Sequence, residues 1–173
     1  MSKVCLLVDL ENEWTDTNSE YYLGNLSKLK RNIKKLSDIC RSHNIPLIFT
    51  RHIEIDSKTF FAENSKNVEL FVEKENDEIL ITKNKISPFY NTSLDNILKE
   101  MKADELIIAG IMTNLCVRSA VSDAYDKNYK ITVIKDCCAS NSIEINNFTF
   151  KDLKNTRPEI EFLTVDEFIS KNI

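Results

Sequence analysis

The stretch LIIAGIMTNLCVRSAVSDAYDKNYKITVI, residues 106–134, decides how the chain folds. Residues 106–111 are the most apolar run in the sequence and do not alternate, the pattern of a strand buried on both faces. Helical spacing follows over residues 114–127, and residues 131–134 form a second short apolar run. Two buried strands separated by a helix make a parallel β-α-β unit, because a parallel pair needs a crossover of about that length.

Working outward, the same alternation recurs. Residues 4–8 read as a buried strand that ends at Asp9. Leu26, Leu29, Ile33, Leu36, Ile39 and Cys40 then share one helix face. Pro46 opens a strand over residues 47–50, with Arg51 and His52 at its C-terminal end. Residues 53–77 are irregular and charged, a long excursion with one short helix, before a strand at 78–82. Thr92 and Asp95 have the spacing of a capping box ahead of Leu94, Ile97, Leu98 and Met101. Beyond the deciding stretch come a weaker helix near 142–154, a short strand at Phe162 and Leu163, and a terminal helix capped by Thr164 and Glu167. This order predicts a single α/β domain over residues 1–173: three layers, a mostly parallel six-stranded sheet, helices on both faces. In such sheets ligands sit at the carboxyl ends of the strands.

Composition narrows the chemistry. The 173 residues carry 23 Lys plus Arg against 27 Asp plus Glu, a net charge of −4 with both His neutral. That balance argues against a nucleic-acid or anionic-membrane partner. With only Gly24 and Gly110, neither a dinucleotide-binding turn nor a phosphate-cradling loop can be written. Five cysteines, odd in number and without CxxC spacing, fit free thiols in a cytoplasmic protein. The first residues show no basic region and no cleavage site, so no signal peptide is expected, nor any membrane-spanning run.

Three residues fall at the carboxyl ends of the predicted strands: Asp9, Lys83 and Cys116. A thiol at a helix N-terminus, with a lysine nearby, is expected to favour its thiolate. A carboxylate within reach could take its proton, completing a nucleophile and base. Taken singly, each has a plainer reading: a loop-anchoring Asp, a solvated Lys, a small core Cys. A phospho-acceptor receiver domain would need an Asp at the end of the third strand, where EILITK ends in Thr82 and Lys83.

On these residues the sequence resembles the isochorismatase-like cysteine hydrolases, a superfamily of nicotinamidases, carbamoylsarcosine and ureidoacrylate amidohydrolases and isochorismatases. Gly110, Thr113, Asn114, Cys116, Val117, Ala120, Asp123, Ala124, Tyr129 and Asp136 stand where its nucleophile region has matching residues. LLVDLENEW resembles its opening motif, with Asp9 at the catalytic acid, and ITKNKISPFYNTSLDNIL resembles its lysine segment, with Lys83 at the catalytic lysine. The resemblance implies sheet order 3-2-1-4-5-6 and a cis peptide between Ile111 and Met112. It further implies an oxyanion hole from the Met112 and Cys116 N–H groups, and acyl transfer through a Cys116 thioester. Trp14 and Phe89 match pocket-lining positions, and Lys85 falls where relatives have an arginine near the substrate. Relatives are commonly dimers or tetramers, which implies a homo-oligomer.

Departures bear on the substrate. Metal-dependent nicotinamidases carry Asp-x-His after the second strand plus a further His. Here FTRHIEID offers His52 alone, a pocket wall rather than a metal ligand, so no metal or other cofactor is expected. Glu11 replaces a common Gln and, pointing inward, would add a like charge beside Asp9. The reading is hydrolysis of a small amide or ureido compound. Vinyl-ether hydrolysis of the isochorismatase type and a catalytically silent scaffold stay open as alternatives.

Overall fold

The computed structural model describes residues 2–172. Its six strands are β1 (Ser2–Val8), β2 (Leu47–His52), β3 (Ile79–Lys83), β4 (Ala103–Ile111), β5 (Lys130–Ala139) and β6 (Glu161–Leu163). They form one sheet in the order β3-β2-β1-β4-β5-β6, the order implied by the resemblance. Every pairing is parallel, so the sheet is wholly rather than mostly parallel. The helices are α1 (Ser27–Ser42), α2 (Leu94–Glu100), α3 (Arg118–Asp126), α4 (Ile143–Thr156) and α5 (Val165–Asn172).

The layers follow from where apolar side chains lie. In α1, Leu29, Ile33, Leu36 and Cys40 are buried along one face. Each large one removed from water contributes at most about 1.5–3 kcal/mol. α1 packs with α5 on one face of the sheet, and right-handed crossovers put α3 and α4 on the other. β1 and β4, in the sheet centre, are buried almost throughout, which is why both read as unbroken apolar runs.

Three local features depart from the sequence expectations. The helix expected from residue 114 begins instead with a wider turn, Thr113–Val117, in which the Val117 N–H donates to the Met112 carbonyl at 3.1 Å. β5 runs five residues past its expected end at Ile134, because a bulge lets Gly110 pair with Cys138. Thr92 and Asp95 do not make a reciprocal box: Thr92 accepts from the Leu94 N–H, while Asp95 is drawn to Lys99 and Lys127 at 2.7 and 3.4 Å. By contrast Thr164 and Glu167 cap α5 reciprocally, at 2.7 and 3.2 Å.

The excursion between β2 and β3 holds one short helical turn, Lys66–Val68. It is stitched back over the end of β1: Phe71 N–H donates to Leu10 O and Asn12 N–H to Glu69 O, both at 2.9 Å. The excursion therefore closes over the carboxyl edge of the sheet.

Candidate active site

Gly110 sets the depth of the site. It pairs with Val8 and has a φ of +136°, a conformation that L side chains rarely adopt. A β-carbon there would lie 2.1 Å from the Val8 carbonyl oxygen. Only glycine lets β4 come this close to β1, and the cis peptide Ile111–Met112 follows at once. The chain then enters the wide turn that carries Cys116.

At the end of β1, Asp9 has a positive φ of 51°, which Asp tolerates better than most side chains. Its carboxylate accepts from the Thr50 hydroxyl at 2.6 Å on one oxygen and faces Lys83 Nζ at 2.7 Å on the other. The Trp14 indole N–H donates to the Asp9 carbonyl at 2.7 Å. Lys83 ends β3, in register with His52, and its side chain is wholly buried. Its ammonium also donates to the Lys85 carbonyl at 3.0 Å and to Cys116 Sγ at 3.4 Å. The ammonium thus makes two hydrogen bonds and one ion pair, and carboxylate and thiol are held on one buried cation.

Burial and charge set the protonation states. Burial pulls Lys83 down, but the Asp9 carboxylate and the Cys116 sulfur more than offset it, so the ammonium persists above the ordinary lysine range. Burial pushes the Cys116 thiol up, and Asp9 adds to the rise; Lys83 opposes them without prevailing. The balance favours the thiol at rest. This corrects the thiolate expected from helix position and lysine alone, because the first cost is desolvation of the anion.

Beside this trio, Glu11 points inward and is fully buried. One oxygen accepts the His52 backbone N–H. Burial first, then the Asp9 charge, push its carboxyl well above the usual range. The Asp9 charge anticipated from the sequence as a like-charge neighbour is the second cause of that rise. Glu13 is also buried and accepts the Phe61 N–H at 3.0 Å.

His52 turns toward Glu54. Its Nε2 meets Glu54 at 2.8 Å, and its ring packs edge-on against Phe61. Among the described residues no group of three or more His, Cys, Asp or Glu is arranged to hold a metal ion. The residues present do not fit a bound metal.

A cleft of about 250 Å³ opens beside Met112, with Trp14, Tyr21 and Tyr22 among its walls. The other candidate pocket residues fall elsewhere. Lys85 sends its side chain to solvent and uses only its carbonyl. Phe89 packs against the core, with the Lys127 ammonium 5.6 Å above its ring. Thr50, which clamps Asp9, is in the sequence one more β-branched residue ending an apolar run. Only its partner across the β1–β2 pairing distinguishes it.

A parallel sheet with an acid, an amine and a thiol gathered on its carboxyl edge is a Rossmann-like α/β architecture. Similarity to known proteins gives the family: the isochorismatase domain profile matches residues 3–163, and the chain belongs to that family. It is 30% identical to the uncharacterized isochorismatase family protein YaaI of Bacillus subtilis, over 98% of this chain and 97% of that one. It is 20% identical to the N-carbamoylsarcosine amidase of an Arthrobacter species, over 89% of this chain and 66% of the other. Its fold matches an isochorismatase-like hydrolase from Alkaliphilus metalliredigens with a TM-score of 0.88 at 24% identity, over 98% of both chains.

Proposed function

We propose that the protein hydrolyses a small amide or ureido compound through a thioester on Cys116. The observation that carries this reading is the buried Lys83 ammonium, which holds the Asp9 carboxylate and the Cys116 sulfur together. Asp9 takes the thiol proton as the sulfur attacks the carbonyl carbon. Proton and negative charge thus move together, and no free thiolate accumulates beforehand. The backbone N–H groups of Met112 and Cys116 receive the oxyanion.

Asp9 then gives the proton to the leaving nitrogen, the C–N bond breaks, and the amine departs. Water attacks the thioester as Asp9 takes its proton. The C–S bond breaks, the acid product leaves, and the proton returns to sulfur. Throughout, Lys83 keeps a positive charge beside whichever of Asp9 and Cys116 is anionic. A fixed nearby cation needs no reorganisation during the reaction. Ether hydrolysis driven by Asp9 alone would leave the lysine-bound thiol without a role.

The test is turnover of a panel of small amides and ureides, with intact-mass detection of an acyl adduct on rapid acid quench. Cys116→Ala is expected to lower turnover by on the order of a thousandfold or more while the fold is kept. Unimpaired turnover by that variant, or no cleavage of any amide or ureide by the folded wild type, overturns the thioester route.

A further inference from the structure

The cleft beside Met112 has a chemical character of its own. Its walls include Trp14, Glu20, Tyr21, Tyr22, Met112 and Asn141, and among the described residues no Lys or Arg lines it. At about 250 Å³ it lies below the roughly 300 Å³ at which drug-sized sites begin, so it suits a single ring or a short chain. The aromatic wall is built, not incidental. Trp14 meets the Tyr21 ring edge-on at 6.1 Å, and Tyr21 meets Phe61 at 5.0 Å. Ser19 fixes the rim, accepting the Tyr21 N–H on its hydroxyl at 3.0 Å and the Tyr22 N–H on its carbonyl at 3.2 Å. Trp14 accepts the Leu23 N–H at 3.0 Å. Even so, Tyr21 and Tyr22 stay 43% and 42% exposed, leaving aromatic surface open at the mouth.

Charge decides what such a cleft accepts. The site's one buried cation, Lys83, is already committed to Asp9, Cys116 and the Lys85 carbonyl. Glu20 adds a negative charge at the cleft, with no basic side chain to balance it. A carboxylate entering here would lose hydration, meet repulsion, and find no ionic partner. An uncharged ring would stack on the tyrosines, and an ammonium would gain both their π faces and Glu20.

We infer that the substrate presents an uncharged or cationic planar group to this cleft, and that Glu20 with the Trp14–Tyr21–Tyr22 wall discriminates against carboxylate-bearing amides. The inference rests on the amide-hydrolase reading for the reaction, but its test reads binding and so stands apart from turnover. The probes are benzamide, para-(aminomethyl)benzamide as the cation and para-carboxybenzamide as the anion, bound to folded Cys116→Ala protein and followed by ligand-observed NMR.

The expected order of affinity is cation at least equal to neutral, and neutral at least about fivefold above anion at low salt, the gap shrinking as salt rises. Glu20→Gln should narrow the neutral-to-anion gap to about twofold or less, and Tyr21→Ala should weaken the neutral and cationic probes together. Binding of the anion as tight as the neutral probe, a gap insensitive to Glu20→Gln, or no binding of any probe overturns the inference. Failure to cleave any amide overturns the reaction instead.

Discussion

Two neighbouring stretches at the carboxyl edge of the sheet carry thiols, fully buried in β5 and half-buried at Cys116, and their surroundings differ. In β5, burial pushes Cys138 up to about 12 and lifts Cys137 as well, and Asp136 adds to both. Cys138 gives its S–H to the Ile134 carbonyl at 3.3 Å within the bulge. One strand over, Cys116 is raised by the same desolvation, but its neighbours are a lysine and a carboxylate that can exchange a proton with it. Burial alone makes a thiol inert. What separates the two is the lysine and the carboxylate brought from β3 and β1, which in the proposed reaction let the anion form only when an electrophile arrives.

The largest test of this contrast removes its geometry. Gly110→Ala should destabilise the fold by more than about 3 kcal/mol or prevent folding, because the added carbon would sit 2.1 Å from Val8 O. Gly24, with a φ of +81° and nothing within 4 Å, should cost only about 1 kcal/mol for the same change. Thermal unfolding of the two variants distinguishes steric exclusion at β4 from the general strain of a positive φ.

Asp9→Asn should split reactivity from catalysis. Removing the charge that helps raise the Cys116 thiol, while keeping Lys83, lowers its pKa. Alkylation of Cys116 near pH 7 is therefore expected to speed up by about tenfold as hydrolysis falls by on the order of a hundredfold or more. Cys137 and Cys138 should be unchanged. Alkylation of Cys116 that slows in the variant would mean Asp9 activates the resting thiol, contrary to the charge arrangement.

Thr50→Val is a gentler probe, nearly isosteric. It leaves the buried Asp9 oxygen without its 2.6 Å donor, so a loss of about 1–3 kcal/mol in stability and about tenfold in kcat is expected. An unchanged kcat would show that Lys83 alone orients the carboxylate.

The smallest effect concerns Glu11→Gln, and its signature is a pH dependence. A carboxyl held neutral when folded but ionised when unfolded stabilises the fold fully below its unfolded pKa of about 4.3. That contribution is lost as pH rises through the folded value. Glutamine carries no such dependence, so the variant should gain on the wild type as pH rises, with the wild-type disadvantage vanishing near pH 4. Each kcal/mol gained appears as about 2–4 °C in Tm. A difference that does not change with pH would mean that Glu11 is ionised in the folded protein.

The sequence by itself determined the architecture and which residues could react. Unbroken apolar runs in β1 and β4, the helical face of α1 and the crossover between β4 and β5 leave little choice but a parallel α/β sheet. That topology alone sends Asp9, Lys83 and Cys116 to one edge. Periodicity reports which face of an element is buried, but not contacts between elements distant in the chain. So the Thr50 clamp, the bulge that lengthens β5 and the cleft beside Met112 were decided only in the tertiary structure. Protonation was decided there too. Desolvation depends on everything packed around a group, and it raises the Glu11 carboxyl and the Cys116 thiol, against what charge and helix position suggest locally.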